Sequence, residues 1–543
     1  MNKSTTSIKF GESVQRFEDD RFLKGDGRYV SDIPSGNQVY AKIFRSPYAA
    51  GNISDFDTTK ASSIQGVLAI LTGADAERDG IGSIKAFMSR NKADGSPNFE
   101  PNYSILPKSS VHHIGEALAI VIAKDEETAN AACELIHIKV NESKAVTSVS
   151  AALEKGAPAV WDQEPSNICF VEQLGNPQET KKAFSKARHI IEDEFTISRV
   201  IAAPMETRSA IGYYDKKNKR YLLKTGSQVP HLIQGELAKN ALKINPNNLQ
   251  IISPDVGGGF GLKASAQREM ALVLWASKRL DRPIRWIADR SDSFLGDHHA
   301  RDNKAKVALS LDSEGYFLGL RVSLNCAIGA FIDSFALHIM VGNAGGLAGP
   351  YKIKNFDVKI KGIFTNTQPI APYRGAGRPE ATYCIERIIN IAAHRLGISP
   401  IELRRKNMIS SDLMPYNTGL TFKYDSGDFQ EVMNSAIAFS DADGFPKRRK
   451  DANKRGRLSG QGIAYAVEIA NGPQDMPGHE VARINFEQNG DAQIIVGSHN
   501  HGQGHETAFR QLAGEFLGLM PNKVKIEFGN TDLISDGIGT FGS

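Results

Sequence analysis

A chain of 543 residues is too long for one hydrophobic core and should divide into three or four domains of roughly 150 residues each. Its apolar (41%) and charged (23%) fractions are those of a globular protein, and a net charge of +4 without a long Lys/Arg run argues against nucleic-acid binding. Nothing reads as a signal peptide or a membrane span, and the four cysteines form no CxxC pair, so a cytoplasmic protein is expected whose electron relay, if it has one, sits on a partner. In chain order, residues 1–25 are polar and read as an N-terminal arm. Strands are expected at 38–44 and 67–72, then a fully buried strand at 117–123, a helix at 126–133 and a strand at 136–140. These make a first α+β domain, 26–145. A second body, 146–440, should carry strands near 190–197, 210–214 and 220–223 and helices near 231–238 and 267–278. It should end in an amphipathic helix at 380–396 whose apolar face is Ile385, Ile388, Ile389, Ile391 and Ala392. The charged stretch 441–458 reads as a linker or exposed excursion into a third body, 459–543.

The chemistry-bearing signals are glycine turns. Asp255-Val-Gly-Gly-Gly-Phe-Gly-Leu-Lys263 follows an expected strand and precedes an expected helix. Without Cβ atoms in the way, such a turn can wrap a bulky polar ligand with its backbone N–H groups. Pro372-Tyr-Arg-Gly-Ala-Gly-Arg-Pro379 and His499-Asn-His-Gly-Gln-Gly-His505 are two more, far downstream. None fits G-x-G-x-x-G or G-x-x-x-x-G-K-[ST], which argues against a Rossmann domain and a P-loop. A ligand gripped by three distant glycine loops is expected to be a cofactor. Gln228, closing Lys224-Thr-Gly-Ser-Gln228, either caps a turn or presents its amide to a ligand oxygen. His499, His501 and His505 leave open a zinc site and a hydrolase, against the plainer reading of polar residues in a ligand loop. Asp297-His-His-Ala-Arg-Asp302 reads as a solvated turn rather than a metal site.

Together these segments carry a resemblance. Arg16-Phe-Glu-Asp-Asp-Arg-Phe-Leu-Lys-Gly-Asp-Gly-Arg28 with Tyr29-Val-Ser-Asp32, then His113-Ile-Gly-Glu116, Pro204-Met-Glu-Thr-Arg208, Gly226-Ser-Gln228, Gly257–Gly261, Ala371–Glu380 and Gly502-Gln-Gly-His-Glu-Thr507 occur in the order and spacing of one family. The chain resembles the molybdenum-binding large subunits of the xanthine dehydrogenase and aldehyde oxidase family, which includes aerobic carbon monoxide dehydrogenases. The resemblance implies an N-terminal α/β hammerhead-type domain followed by a multi-domain molybdopterin-binding body of mixed sheets and helices: a first such domain over 146–440 and the start of a second over 459–543. It implies a molybdopterin cofactor, in the cytosine dinucleotide form, and oxidative hydroxylation of an aldehyde or N-heterocycle with water as oxygen source. Partners implied are a [2Fe-2S] small subunit and an FAD-binding medium subunit, in a dimer of heterotrimers.

On that resemblance, Gln228 matches the glutamine that hydrogen-bonds an oxygen ligand of the metal. Gly258, Gly259, Phe260 and Gly261 match the loop facing it, Arg374 an arginine over its substrate side, and Gly502, Gln503 and Gly504 the loop gripping the pterin. The metal itself is implied to hang from the pterin dithiolene rather than from protein ligands. Two departures narrow the chemistry. Gly375 stands where carbon monoxide enzymes carry a copper-binding cysteine, and Ala264 stands where xanthine enzymes carry a purine-binding glutamate. The family's glutamate base has no counterpart in this chain. The last residues, Gly539-Thr-Phe-Gly-Ser543, read as part of another cofactor loop, so a fragment of a longer protein is expected rather than one completed by a second polypeptide.

Overall fold

The computed structural model describes residues 10–34, 36–470 and 479–542. Ala117–Ala123 is seven apolar residues with no alternation, and every one is buried. A strand of that pattern needs cover on both faces. It has it as an inner strand of a seven-stranded sheet, ordered Leu249–Ile252, Arg220–Thr225, Ser209–Asp215, Ile284–Ile287, Val39–Arg45, Ala117–Ala123, Val67–Thr72. Val39–Arg45 pairs antiparallel with Ala117–Ala123 and parallel with Ile284–Ile287, Val39 opposite Ile284. One sheet thus draws strands from both 26–145 and 146–440. The helix Arg268–Leu280, buried from Arg268 to Ser277, lies against Ser209–Asp215. Gly212 lets it approach closely, because a Cβ there would sit 2.5 Å from the Val273 carbonyl carbon.

A second sheet runs His189–Val200, Ala300–Leu311, Phe317–Gly329, Phe356–Phe364, Ile168–Gly175. The helix Arg378–Leu396 packs on its first two strands. Pro379 in its first turn and Gly397 at φ +66° mark its ends. Ile385, Ile388, Ile389 and Ala392 are buried as the periodicity requires, while Ile391 is half-buried. Most of the stretch 441–458 is helical. It forms the 3-10 turn Ala442–Gly444 and the helix Phe445–Lys454, with only Ala452 buried. Its lysines and arginines are good helix formers and keep their charges in solvent. A third, three-stranded sheet, Ala482–Phe486, Ala492–Val496 and Val524–Glu527, carries the helix His505–Leu517 against its last strand.

The joint between the first α+β region and the body behind it is ionic as well as apolar. Arg45 ends its strand between Glu269 and Asp292, and its Nη2 lies 2.7 Å from Glu269 Oε1. Arg208 reaches the other oxygen of Glu269 at 2.7 Å and also pairs with Asp297. Arg268 meets Glu116 at 3.0 Å. All these side chains are at most 7% exposed. The segment 297–302, expected as a solvated turn, is therefore part of the interior at Asp297. An arginine 89 positions away, Arg208, donates its Nε to Asp297 Oδ1 and its Nη2 to the neighbouring Gly296 O.

Candidate functional site

The strand Leu249–Ile252 delivers the chain to the first glycine loop. Gly258 (φ +98°), Phe260 (φ +56°) and Gly261 (φ +97°) all adopt left-handed backbone. Glycine takes that conformation freely; phenylalanine pays about 1–2 kcal/mol, and such strain collects at functional sites. What holds the loop is a buried pair beneath it. Glu206 Oε2 accepts from Lys263 Nζ at 2.7 Å and from the Gly257 N–H at 2.8 Å. Glu206 N donates back to Gly257 O. Burial lowers the Lys263 pKa, and the Glu206 carboxylate acts against that.

Gln228 is 5% exposed and joins two loops. Its Oε1 accepts from Gly261 N at 2.7 Å, and its Nε2 donates to Thr540 O at 3.0 Å. Gly259 lies so close that a Cβ there would sit 2.6 Å from the Gln228 amide. Gly261 is closed on its other side by Pro372 O, 2.4 Å from where its Cβ would be. Arg374 N donates to Phe260 O at 3.0 Å, which ties the second glycine segment to the first. Arg301 supports it by donating to Arg374 O at 2.9 Å, pairing with Glu380 at 2.8 Å and stacking over Tyr373.

These contacts enclose one cavity of about 700 Å³. Gln228, Gly259, Phe260, Gly261, Arg374, Gly502, Gln503 and Gly504's neighbour His505 all stand in its wall or at its edge, with the Arg374 side chain exposed toward solvent. Gly504 itself is buried behind the wall, and Gly258 lies behind the Phe260 ring, 2.6 Å from where its Cβ would be. Aromatic and apolar side chains complete the lining: Phe335, Ile339, Tyr373 and Phe541.

The histidines do not form a zinc site. His499 is fully buried, with Nε2 2.8 Å from Ser253 O and Nδ1 2.9 Å from Asn500 O. His501 Nδ1 is held by Gln503 Nε2 at 3.1 Å. Among the described residues, no group of three His, Cys, Asp or Glu side chains is placed to hold a metal ion. Gln503 also turns its Oε1 back onto His501 N at 2.5 Å, so its amide orders the loop. With Nδ1 accepting, His501 carries its proton on Nε2, a buried donor with no protein partner at the cavity wall. Burial, with His499, His505 and Lys263 nearby, pushes its pKa down to about 2, so it stays neutral. An unpaired buried donor, glycine backbone and one amide fit a large ligand rich in acceptor atoms. At Gly502 a Cβ would meet nothing within 4 Å, which leaves the loop free to approach such a ligand.

Phe260 offers a direct check on this geometry. Phe260→Ala keeps the left-handed backbone but removes the ring, and a cofactor-loaded variant is expected to lose bound cofactor as well as rate. Phe260→Gly relieves about 1 kcal/mol of strain, so its cofactor-free form should melt no lower than that of Phe260→Ala. Full cofactor content in Phe260→Ala would count against a role for the ring.

Several wall residues had no signal in the sequence. Phe335, Ile339 and Asn343 arrive on or beside the short helix Ala336–Gly342. Only the run Gly342-Asn-Ala-Gly-Gly346, which packs closely behind the second loop, hints at their place.

The chain matches three family descriptions in sequence. Residues 24–144 match "Aldehyde oxidase and xanthine dehydrogenase, a/b hammerhead domain", and residues 160–408 and 435–543 each match "Molybdopterin cofactor-binding domain". It is 30% identical to the nicotine 6-hydroxylase large subunit of Paenarthrobacter nicotinovorans, over 98% of this chain and 65% of that one. It is 29% identical to the carbon monoxide dehydrogenase large chain of Afipia carboxidovorans, over 99% of this chain and 69% of that one. The crystal structure of quinoline 2-oxidoreductase from Pseudomonas putida 86 superposes with a TM-score of 0.91 at 28% identity, over 99% of this chain and 68% of that one. The chain thus spans about two thirds of the length of these relatives.

Proposed function

The chain belongs to the molybdopterin-binding aldehyde oxidase and xanthine dehydrogenase family, and on that premise we propose that it is the cofactor-bearing part of a molybdenum hydroxylase acting on an N-heterocycle or an aldehyde. The observation that carries this is the single cavity walled by three glycine segments far apart in sequence. The aromatic and apolar wall of Phe335, Ile339, Tyr373 and Phe541 favours a flat heteroaromatic ring over a small aliphatic aldehyde. Relatives acting on nicotine and quinoline support the same choice. Gly375 offers no thiolate for copper and Ala264 no carboxylate for a purine.

When bound, the molybdopterin supplies the two-electron chemistry that moves oxygen from water to an electrophilic carbon. The protein's own part is placement. The loop Gly258–Gly261 and the Gln228 amide would face the metal end, His501 Nε2–H and the Gly502–Gly504 loop the pterin, and Arg374 the substrate. The walls exclude water from the ring's other face. The cytosine dinucleotide form, iron–sulfur and FAD subunits in a dimer of heterotrimers, and a cytoplasmic setting belong to the same proposal.

The test is composition. The full-length protein, made in a host with the molybdopterin machinery and purified with its partners, should carry molybdenum, a pterin nucleotide, iron and flavin. Zinc without pterin would sink the proposal; iron and flavin absent from a molybdenum-loaded complex would sink its partner half.

A further inference from the structure

The opening segment lies partly outside every family match, since the first of them begins at residue 24. Among the described residues, its side chains reach the first and third glycine loops. Glu18 is 2% exposed and inserts between the third glycine loop and the helix behind it. Its Oε2 accepts from Thr507 Oγ1 at 2.6 Å and its Oε1 from Asn500 Nδ2 at 3.3 Å. Asn500 Oδ1 in turn accepts from the N–H groups of Gly502 and Gly504, at 3.0 and 3.3 Å. Arg16 Nη1 donates to Gly502 O at 2.7 Å, and Phe17 N to Thr507 Oγ1 at 2.8 Å.

Arg21 completes the arrangement. One arm of its guanidinium lies 2.6 Å from Asp255 at the start of the first glycine loop. The other lies 2.6 Å from Glu506 at the end of the third. Asp255 is fixed from the same segment, because Arg28 N donates to its Oδ2 at 2.8 Å and Asp255 N donates to Arg28 O at 3.1 Å. The two carboxylates are 13% exposed and Arg21 is 31% exposed, so the pairs are partly shielded from solvent. A planar fork can hold two carboxylates at a fixed separation; an ammonium cannot. The two loops also meet directly at His499 and Ser253, but that contact lies at their roots.

We propose that Arg16–Arg28 is a positioning element of the cofactor site: a clamp that sets the spacing of the first and third glycine loops, with Glu18 and Arg21 as its two anchors. The inference rests on the cofactor reading above and adds that a ligand spanning both loops is retained through this clamp. None of its residues lines the cavity. Loosening it lets the loops separate, so its loss shows in retention before it shows in folding.

Arg21→Ala, Arg21→Lys and Glu18→Gln in the full-length holoenzyme provide the test. Molybdenum and pterin per chain are followed during prolonged dialysis, and melting temperatures are taken for loaded and cofactor-free forms. Arg21→Ala should lose cofactor roughly 10-fold faster, the size of one charge-assisted hydrogen bond, with Arg21→Lys intermediate. Glu18→Gln, which keeps the shape but weakens the hold on Thr507, should also lie between Arg21→Ala and wild type. The rise in melting temperature on loading should shrink in all three. A merely structural segment predicts equal drops for both forms with unchanged retention, and that result overturns the clamp. Wild-type protein without pterin overturns the functional reading, and the clamp with it. Loaded wild type with normal retention in Arg21→Ala and Glu18→Gln overturns the clamp alone.

Discussion

Gln228→Ala should lower turnover per molybdenum in the loaded enzyme about 10–150-fold and also lower cofactor content. The rate term comes from the second hydrogen on Gln228 Nε2. One hydrogen goes to Thr540 O, and the other remains for a ligand oxygen at the cavity wall. Losing a buried hydrogen bond to a charged ligand costs about 1.5–3 kcal/mol, and 1.36 kcal/mol is one decade of rate. The content term comes from the protein's own bonds. Without the amide, Gly261 N and Thr540 O lose their partners, and the first loop parts from the 538–542 segment. Gln228→Glu separates the two terms: it still accepts from Gly261 N but cannot donate to Thr540 O. It should hold more cofactor than Gln228→Ala yet turn over as slowly per metal. Full activity per molybdenum in Gln228→Ala would show that the amide only caps a turn.

Glu269→Ala should be strongly destabilising, by about 3–5 kcal/mol, because it removes the carboxylate that the buried Arg45 and Arg208 share and leaves each with one carboxylate, Asp292 and Asp297. The same site sets an acid limit. Burial alone would raise the Glu269 pKa; Arg208 and Arg45 outweigh it and hold it well below the ordinary 4.5. A carboxylate with a depressed folded pKa stabilises above its unfolded value, and the contribution fades as pH falls through the folded one. The urea midpoint of wild type should therefore drop steadily below about pH 4.5. Glu269→Gln should start lower at pH 7 and show a shallower fall. Equal slopes in the two proteins would refute the assignment of this acid sensitivity to Glu269.

What was legible in the sequence were features that a local pattern writes. Seven apolar residues in a row can only be a covered segment, and Ala117–Ala123 is one. The Arg378–Leu396 helix shows its period and both caps. The glycine turns announce backbone that needs positive φ, and they do converge. The long strands Ala300–Leu311 and Phe317–Gly329 were not legible, because their alternation is broken by buried polar residues such as Asn303 and Ser310. Asn303 turns to Met340 Sδ and Ser310 to Gly319 O on the paired strand, partners that no local pattern announces. The same holds for the site. Its three glycine loops are local motifs, but Phe335, Ile339 and Asn343 are not, and its supports, Glu206 with Lys263 and Arg21 between Asp255 and Glu506, join positions that no spacing rule connects.

The strand Val39–Arg45 sits between Ala117–Ala123 and Ile284–Ile287, so its parallel neighbour is synthesised long after it. At ~5–20 residues per second, the ribosome needs roughly 10–50 s to deliver that neighbour. During this interval an open strand edge and a continuous apolar face stand uncovered, which is the state most prone to misassociation. Slowing synthesis between the two strands should therefore lower the yield of soluble protein more than slowing it after Ile287 has emerged.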